Sequence, residues 1–327
     1  MRQEEYDGRS AAKEERRERI ASEVSASVPL SARLKTAWRM LRPFTLTASL
    51  VPTLVGSALA LTVGGWHWGL FVAFLVAAVL IQAATNMWNE YFDYARGLDD
   101  EKMVGIAGAI VRDQVPPRVV LYTAYGFVAV ALGLGLYISA STSWWVAVTG
   151  AACLLVAYGY SGGPKPLSST PFGELAAALA MGPAIVILAF YVQARTVAPA
   201  AVLVSVPVGL LIGAILLANN LRDMELDRAG GRRTLPIVLG RPGGIRALAA
   251  VFTLAYLFTL GLAVWRVVPV WAVFVLATVP QAVRVVGLYL RHTDPPDLHP
   301  AVKGTSMLLL SFGLLLFLAI LAGRLVG

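Results

Sequence analysis

"LFVAFLVAAVLIQAATNMWNEYFD", residues 70–93, decides the fold. Its first part is an apolar run of the kind that crosses hydrocarbon, a crossing that takes roughly 20 residues. Its last eight residues carry Asn86, Asn89, Glu90 and Asp93. Acidic side chains are costly inside a membrane and mark function there. The stretch therefore reads as a span that ends in a polar, acidic segment.

Working outward, similar apolar runs recur along the chain. Of its 327 residues 57% are hydrophobic and 14% charged, and the mean hydropathy is +0.70. This composition excludes an ordinary soluble domain and predicts an all-α polytopic membrane protein. Nine transmembrane helices around a central cavity are expected, at about 43–63, 68–91, 119–139, 144–160, 173–193, 198–221, 245–266, 268–290 and 304–325. The single Cys153 excludes an internal disulfide, and His67, His292 and His299 lack metal-ligand spacing. The net charge of +8 does not point to nucleic acid, because the basic residues sit between apolar runs. They gather in the loops after spans two, four, six and eight, whereas the other connections hold only Arg195 and Arg266. By the positive-inside rule the amino terminus and the even-numbered loops face the cytoplasm and the carboxyl terminus lies outside.

Residues 1–29 mix charges of both signs without the order of a signal peptide, and read as a disordered tail. In residues 30–42, Leu34, Trp38 and Leu41 recur at helical spacing among Arg33, Lys35 and Arg39, as in an interfacial amphipathic helix. The remaining 43–327 form the membrane domain. Within it "NMWNEYFD" ends the second span and "NNLRDMELD" the sixth, which suggests two four-helix halves and a ninth span.

Asn86, Asn89, Glu90 and Asp93 fall at i, i+3, i+4 and i+7, on one side of a helix; Asn219, Asp223 and Asp227 form a second such stripe. A single stripe could merely mark a helix end in the headgroup layer. Two of like composition on one membrane face favour chemistry. Clustered carboxylates and amides suit Mg2+ held together with substrate phosphates, and Lys165, Arg222, Arg228, Arg232 and Arg233 supply cations for a diphosphate. A proton or cation relay in a secondary transporter remains the rival reading. "GRRTLP" (231–236) lacks the ending of a phosphate-binding P-loop. Trp88, Tyr91, Phe92, Tyr94, Tyr158, Tyr160 and Tyr191 cluster near the span ends, as an interfacial belt or as rings that shield a carbocation.

"NEYFDYARGLD", "DMELDRAGGRRTLPIVLG", "RPFTLTASLVP", "GIAGAIVR" and "YSGGPKPLSSTPFGEL" resemble the UbiA superfamily of intramembrane aromatic prenyltransferases, over about residues 36–325. The combination is most similar to its 1,4-dihydroxy-2-naphthoate branch, in menaquinone biosynthesis. The family's Asn-Asp-x-x-Asp motif with a downstream Asp matches Asn89, Asp93 and Asp99, with Glu90 where Asp is usual. Its Asp-x-x-x-Asp motif matches Asp223 and Asp227. The resemblance implies a metal set of Asn89, Glu90, Asp93, Asp99, Asp223 and Asp227 holding Mg2+. It makes Asn89, Asp93, Asp223 and Asp227 the catalytic candidates, and Lys165, Arg222, Arg228, Arg232, Asn86 and Asn219 the diphosphate contacts. The implied substrates are a polyprenyl diphosphate and an aromatic acid, at a site facing the cytoplasm of a bacterial cell membrane.

Overall fold

The computed structural model describes residues 30–98 and 108–326; the predicted tail 1–29 and Asp99 lie outside these. Among the described residues every regular element is helical. The helices are α1 (Leu30–Leu41), α2 (Thr47–Thr62), α3 (Trp68–Ala95), α4 (Pro117–Ser141), α5 (Trp144–Ser161), α6 (Gly173–Met181), α7 (Pro183–Ala194), α8 (Pro199–Arg222), α9 (Met224–Ala229), α10 (Leu235–Val264), α11 (Val279–Arg291) and α12 (Pro295–Val326). Proline opens several of them: Pro117, Pro183 and Pro199 sit in the first turn, where no intrahelical partner is needed for the missing N–H. Ser143 caps α5 by accepting from the Trp145 amide.

Eight helical segments are long and apolar enough to cross a membrane. The expected first span, 43–63, is instead a helix of 16 residues preceded by turns at 43–46. The expected fifth span is α6 and α7 joined at Gly182, whose backbone leaves helical values (φ −80, ψ −87). A Cβ there would lie 2.3 Å from the Gly209 Cα, so α7 and α8 meet backbone to backbone, as small residues permit between membrane helices. The seventh span begins at Leu235 rather than 245, since the "GRPGG" stretch continues as helix across a kink at Gly240 (φ 68, ψ 160). The eighth opens as a 3-10 stretch, Val270–Thr278, before α11.

Helix α2 is the hinge of the packing, lying against α7, α12, α3 and α8. At Gly56 a Cβ would stand 2.3 Å from the Val186 carbonyl oxygen, which sets how closely α2 and α7 approach. The largest apolar core joins α2 and α7 to α8, α10, α11 and α12; smaller cores tie α3 to α4 and to α7. Helix α8 is buried along most of its length. Helix α5 buries only Val146 and Ser161 and divides its remaining surface between the cavity and the outside. Between these two sides lies a cavity of about 530 Å³, lined from α2, α3, α4, α5, α6, α7, α8 and α12.

Candidate active site

Both acidic segments reach this cavity. Helix α3 carries Asn86, Asn89 and Asp93 into its lining; the end of α8 and helix α9 add Asn219, Asn220, Arg222, Asp223 and Asp227. The second segment is not one continuous helix. Helix α8 ends at Arg222, Asp223 takes a non-helical conformation, and α9 restarts at Met224. The Asp227 amide still donates to the Asp223 carbonyl at 2.8 Å, so the i, i+4 spacing read from the sequence survives the break.

Arg232 joins the two segments. Its Nη1 donates to Asp227 Oδ1 at 3.0 Å and its Nη2 to Asp93 Oδ1. It reaches both because "AGGR" reverses the chain: Gly231 adopts φ 76, a left-handed value that favours glycine, and the Arg232 amide returns to the Asp227 carbonyl at 2.9 Å. All three side chains are nearly buried. Burial works against the Arg232 charge, but Asp93 and Asp227 outweigh it and hold its pKa above the usual guanidinium value. Burial also pushes the Asp227 carboxyl up to about 6, against the pull of Arg232 and with repulsion from Asp223 added. Asp223 is held two-fold by Arg222, Nε to Oδ1 at 2.7 Å and Nη2 to Oδ2 at 2.6 Å.

The amides organise the first segment. Asn86 donates to the Leu41 carbonyl at 3.0 Å and to Thr45 Oγ1 at 2.9 Å, which fixes the start of α2 on α3. Asn89 donates to Asp93 Oδ2 and to Ser161 Oγ, both at 3.3 Å, and accepts from Arg42 Nη1 at 3.2 Å. Arg96 stands 3.7 Å from Asp93 and donates to the Ser161 and Gly163 carbonyls, tying α3 to the end of α5.

Three residues selected from the sequence lie elsewhere. Glu90 is buried, but its Oε1 accepts from the Ile110 amide at 3.0 Å and it is not part of the cavity lining. It is an anchor for the loop that follows α3. Lys165 is exposed in the α5–α6 loop, and Arg228 pairs with Glu225 at 2.8 Å on the outer side of α9. Of the aromatic residues named above, Tyr160 alone lines the cavity. Trp88 meets Tyr125 and Tyr158 edge to face, and Phe92 meets Tyr158 the same way, as a clasp between α3, α4 and α5.

Arg42, Lys303 and Glu174 were not selected. Arg42 and Lys303 line the cavity, although their sequence signal was that of membrane-flanking charge. Glu174 is buried, its Oε1 accepting from Asn220 at 2.8 Å; an acid heading an apolar run was the available signal.

The donor set is amide and carboxylate oxygen, which fits a hard cation such as Mg2+. No cluster of three or more Asp, Glu, His or Cys side chains able to hold a metal occurs among the described residues; Arg232 and Arg222 pair with the carboxylates instead. Buried Nε of Arg232 and Nη1 of Arg222 have no hydrogen-bond partner. The cavity thus combines a polar head rich in paired charge with a long apolar wall from α3, α4 and α5.

Comparison with known proteins accords with this chemistry. Residues 49–311 match the model of the UbiA prenyltransferase family. The 1,4-dihydroxy-2-naphthoate octaprenyltransferase of Bacillus subtilis is 41% identical over 284 residues, 87% of this chain and 91% of that protein. Among solved structures, a UbiA homolog from Aeropyrum pernix K1 superposes with a TM-score of 0.65 at 15% identity, over 84% of this chain and 97% of that one. A UbiA homolog from Archaeoglobus fulgidus bound to GPP and Mg2+ does so with a TM-score of 0.56 at 16% identity, over 86% and 99%.

Proposed function

Because the chain belongs to the UbiA prenyltransferase family, we propose that it transfers a polyprenyl group from its diphosphate to 1,4-dihydroxy-2-naphthoate with loss of CO2, giving the quinol form of demethylmenaquinone, which a separate two-electron oxidation converts to the quinone. The observation that carries this reading is the convergence of both acidic segments on Arg232 at the polar head of an apolar-walled cavity. The name of the Bacillus relative supports the acceptor.

Asn89, Asp93, Asp223 and Asp227 would hold Mg2+, with Asp99 retained on its motif match; the ion when bound neutralises charge on the departing diphosphate. Arg232 and Arg222 stabilise the same diphosphate, each with guanidinium N–H groups to spare. The allylic C–O bond breaks and its electron pair leaves with the diphosphate. The ring carbon bearing the carboxylate supplies the pair for the new C–C bond. Loss of that carboxylate as CO2 returns its bonding pair to the ring, so aromaticity is restored without a side-chain base. The prenyl chain lies along the apolar lining, whose exclusion of water protects the allylic cation from hydrolysis.

Nine spans are part of the same reading, with α2 as the short first one. The site then lies at the cytoplasmic face of a bacterial cell membrane, where Arg96, Arg112 and Arg228 gather. Helix α1, with Leu34 and Trp38 exposed, lies in the headgroup layer.

The test is transfer by purified protein in detergent from a labelled prenyl diphosphate to the naphthoate, with 4-hydroxybenzoate and homogentisate as competing acceptors. Product should form on the naphthoate, require Mg2+, and fall about a hundred- to a thousandfold in Asp93→Ala or Asp223→Ala. Full activity of both variants would sink the site assignment, and preference for another acceptor would sink the substrate.

A further inference from the structure

We propose that Arg42, Phe44 and Lys303 form a carboxylate clamp that recognises the aromatic acceptor, with the hydroxyls of Ser49 and Ser306 facing its ring substituents. The proposal rests on the functional reading above and names the subsite for its second substrate.

Other cations at or beside the polar head already have acidic partners: Arg232, Arg222 and Arg96. Arg42 and Lys303 line the cavity with no carboxylate partner among the described residues. Arg42 gives one N–H to the neutral Asn89 amide, while its buried Nε has no partner. It also holds a positive φ of 49, a conformation that a non-glycine residue keeps when its surroundings demand it. Lys303, on α12, places its Nζ 4.5 Å from the Phe44 ring centroid. A ring face beside an ammonium steadies the cation.

This pairing discriminates between the two anions the enzyme handles. A diphosphate gains nothing from a phenyl ring. A planar aromatic acid meets both requirements, its ring against Phe44 and its carboxylate toward Lys303 and Arg42. One helical turn deeper, Ser49 on α2 and Ser306 on α12 also line the cavity. Neither hydroxyl has a hydrogen-bond partner among the described residues, and both residues are otherwise buried. Two free hydroxyls beyond a cationic pair match a ring that carries hydroxyls as well as a carboxylate.

The experiment compares 1-hydroxy-2-naphthoate with its carboxamide as inhibitors competing with the acceptor, in wild type, Lys303→Gln and Lys303→Arg. The acid should bind wild type about 10- to 100-fold better than the neutral amide, the range for a charge-assisted contact. In Lys303→Gln that preference should fall severalfold or more, and Lys303→Arg should restore most of it. The KM for prenyl diphosphate should stay within about twofold throughout. Equal inhibition of wild type by acid and amide overturns the clamp whether or not any variant folds. An unchanged preference in Lys303→Gln overturns it too, as does a shift in prenyl diphosphate KM alone. Absence of transfer to any naphthoate in wild type is a different failure, that of the functional reading.

Discussion

Replacing Arg232 with Gln removes the side chain that, among the described residues, holds Asp93 and Asp227 together. The side chains of Asp93 and Asp227 are 12% and 4% exposed, so solvent screens them little. Removing one partner of a buried ion pair costs about 3–5 kcal/mol, since the other charge stays uncompensated. At roughly 2 °C per kcal/mol for a chain of this size, the midpoint should fall by about 6–10 °C. The loss should depend on pH. In the wild type the Asp227 carboxyl has been pushed up to about 6, above its unfolded value near 4. Protonation therefore favours the folded state: this group's contribution to stability is greatest below about pH 4, declines as pH rises through 6, and is level above about 7. Without Arg232 the Asp227 carboxyl rises further and takes up its proton more readily, so the penalty should be larger at pH 8 than at pH 5.5. Thermal unfolding of detergent-purified protein, followed by tryptophan fluorescence with chelator present, measures it. Arg232→Lys should recover only part, because an ammonium lacks the planar fork that reaches both partners. A midpoint change below about 2 °C, or equal losses at both pH values, would refute the bridge as a stabilising element.

Other expectations follow from separate contacts. Glu90→Asp withdraws a carboxylate from the Ile110 amide by one methylene; it should cost about 1.5–3 kcal/mol of stability and leave the Mg2+ concentration for half-maximal transfer unchanged, a change in that concentration counting against its role as a loop anchor. Gly56→Ala puts a methyl against the Val186 carbonyl at 2.3 Å and should cost about 1–3 kcal/mol through overpacking, seen as a lower unfolding midpoint. Tyr289→Phe removes the 2.7 Å bond to the Ala218 carbonyl, just before the second acidic segment; a loss of about 1 kcal/mol is expected in the same assay. Chelation should abolish transfer, and added Mg2+ should restore it.

The helical, membrane-spanning class was legible because apolar length is a one-dimensional signal, and Asn86 through Asp93 showed a usable face because one helix carries them. The breaks were less legible. Gly182 and Gly240 are single glycines within apolar or mixed stretches, and whether a glycine bends a helix is settled by what packs on it. Glu90 illustrates the limit at the site. Its spacing puts it one residue from Asn89, close enough to share a stripe on paper, yet its carboxylate turns to the Ile110 amide. Lys165 and Arg228 had the right charge in the right loops but face outward. Arg42 and Lys303 looked like ordinary flanking charge, because only the closing of α12 onto α2 brings Lys303 over Phe44.

The contrast between α8 and α5 has a mechanical meaning. One side of the cavity is formed by α8, buried along most of its length; on the other, α5 fully buries only Val146 and Ser161. That wall borrows its support from whatever surrounds it, so acyl chains act there as structural members rather than as a passive medium. Exchange of bilayer for detergent removes a load-bearing neighbour from α4 and α5 while leaving the α8–α12 frame intact. Backbone hydrogen exchange should accordingly quicken in α4 and α5 first, and lipid added back should stiffen the molecule from that side.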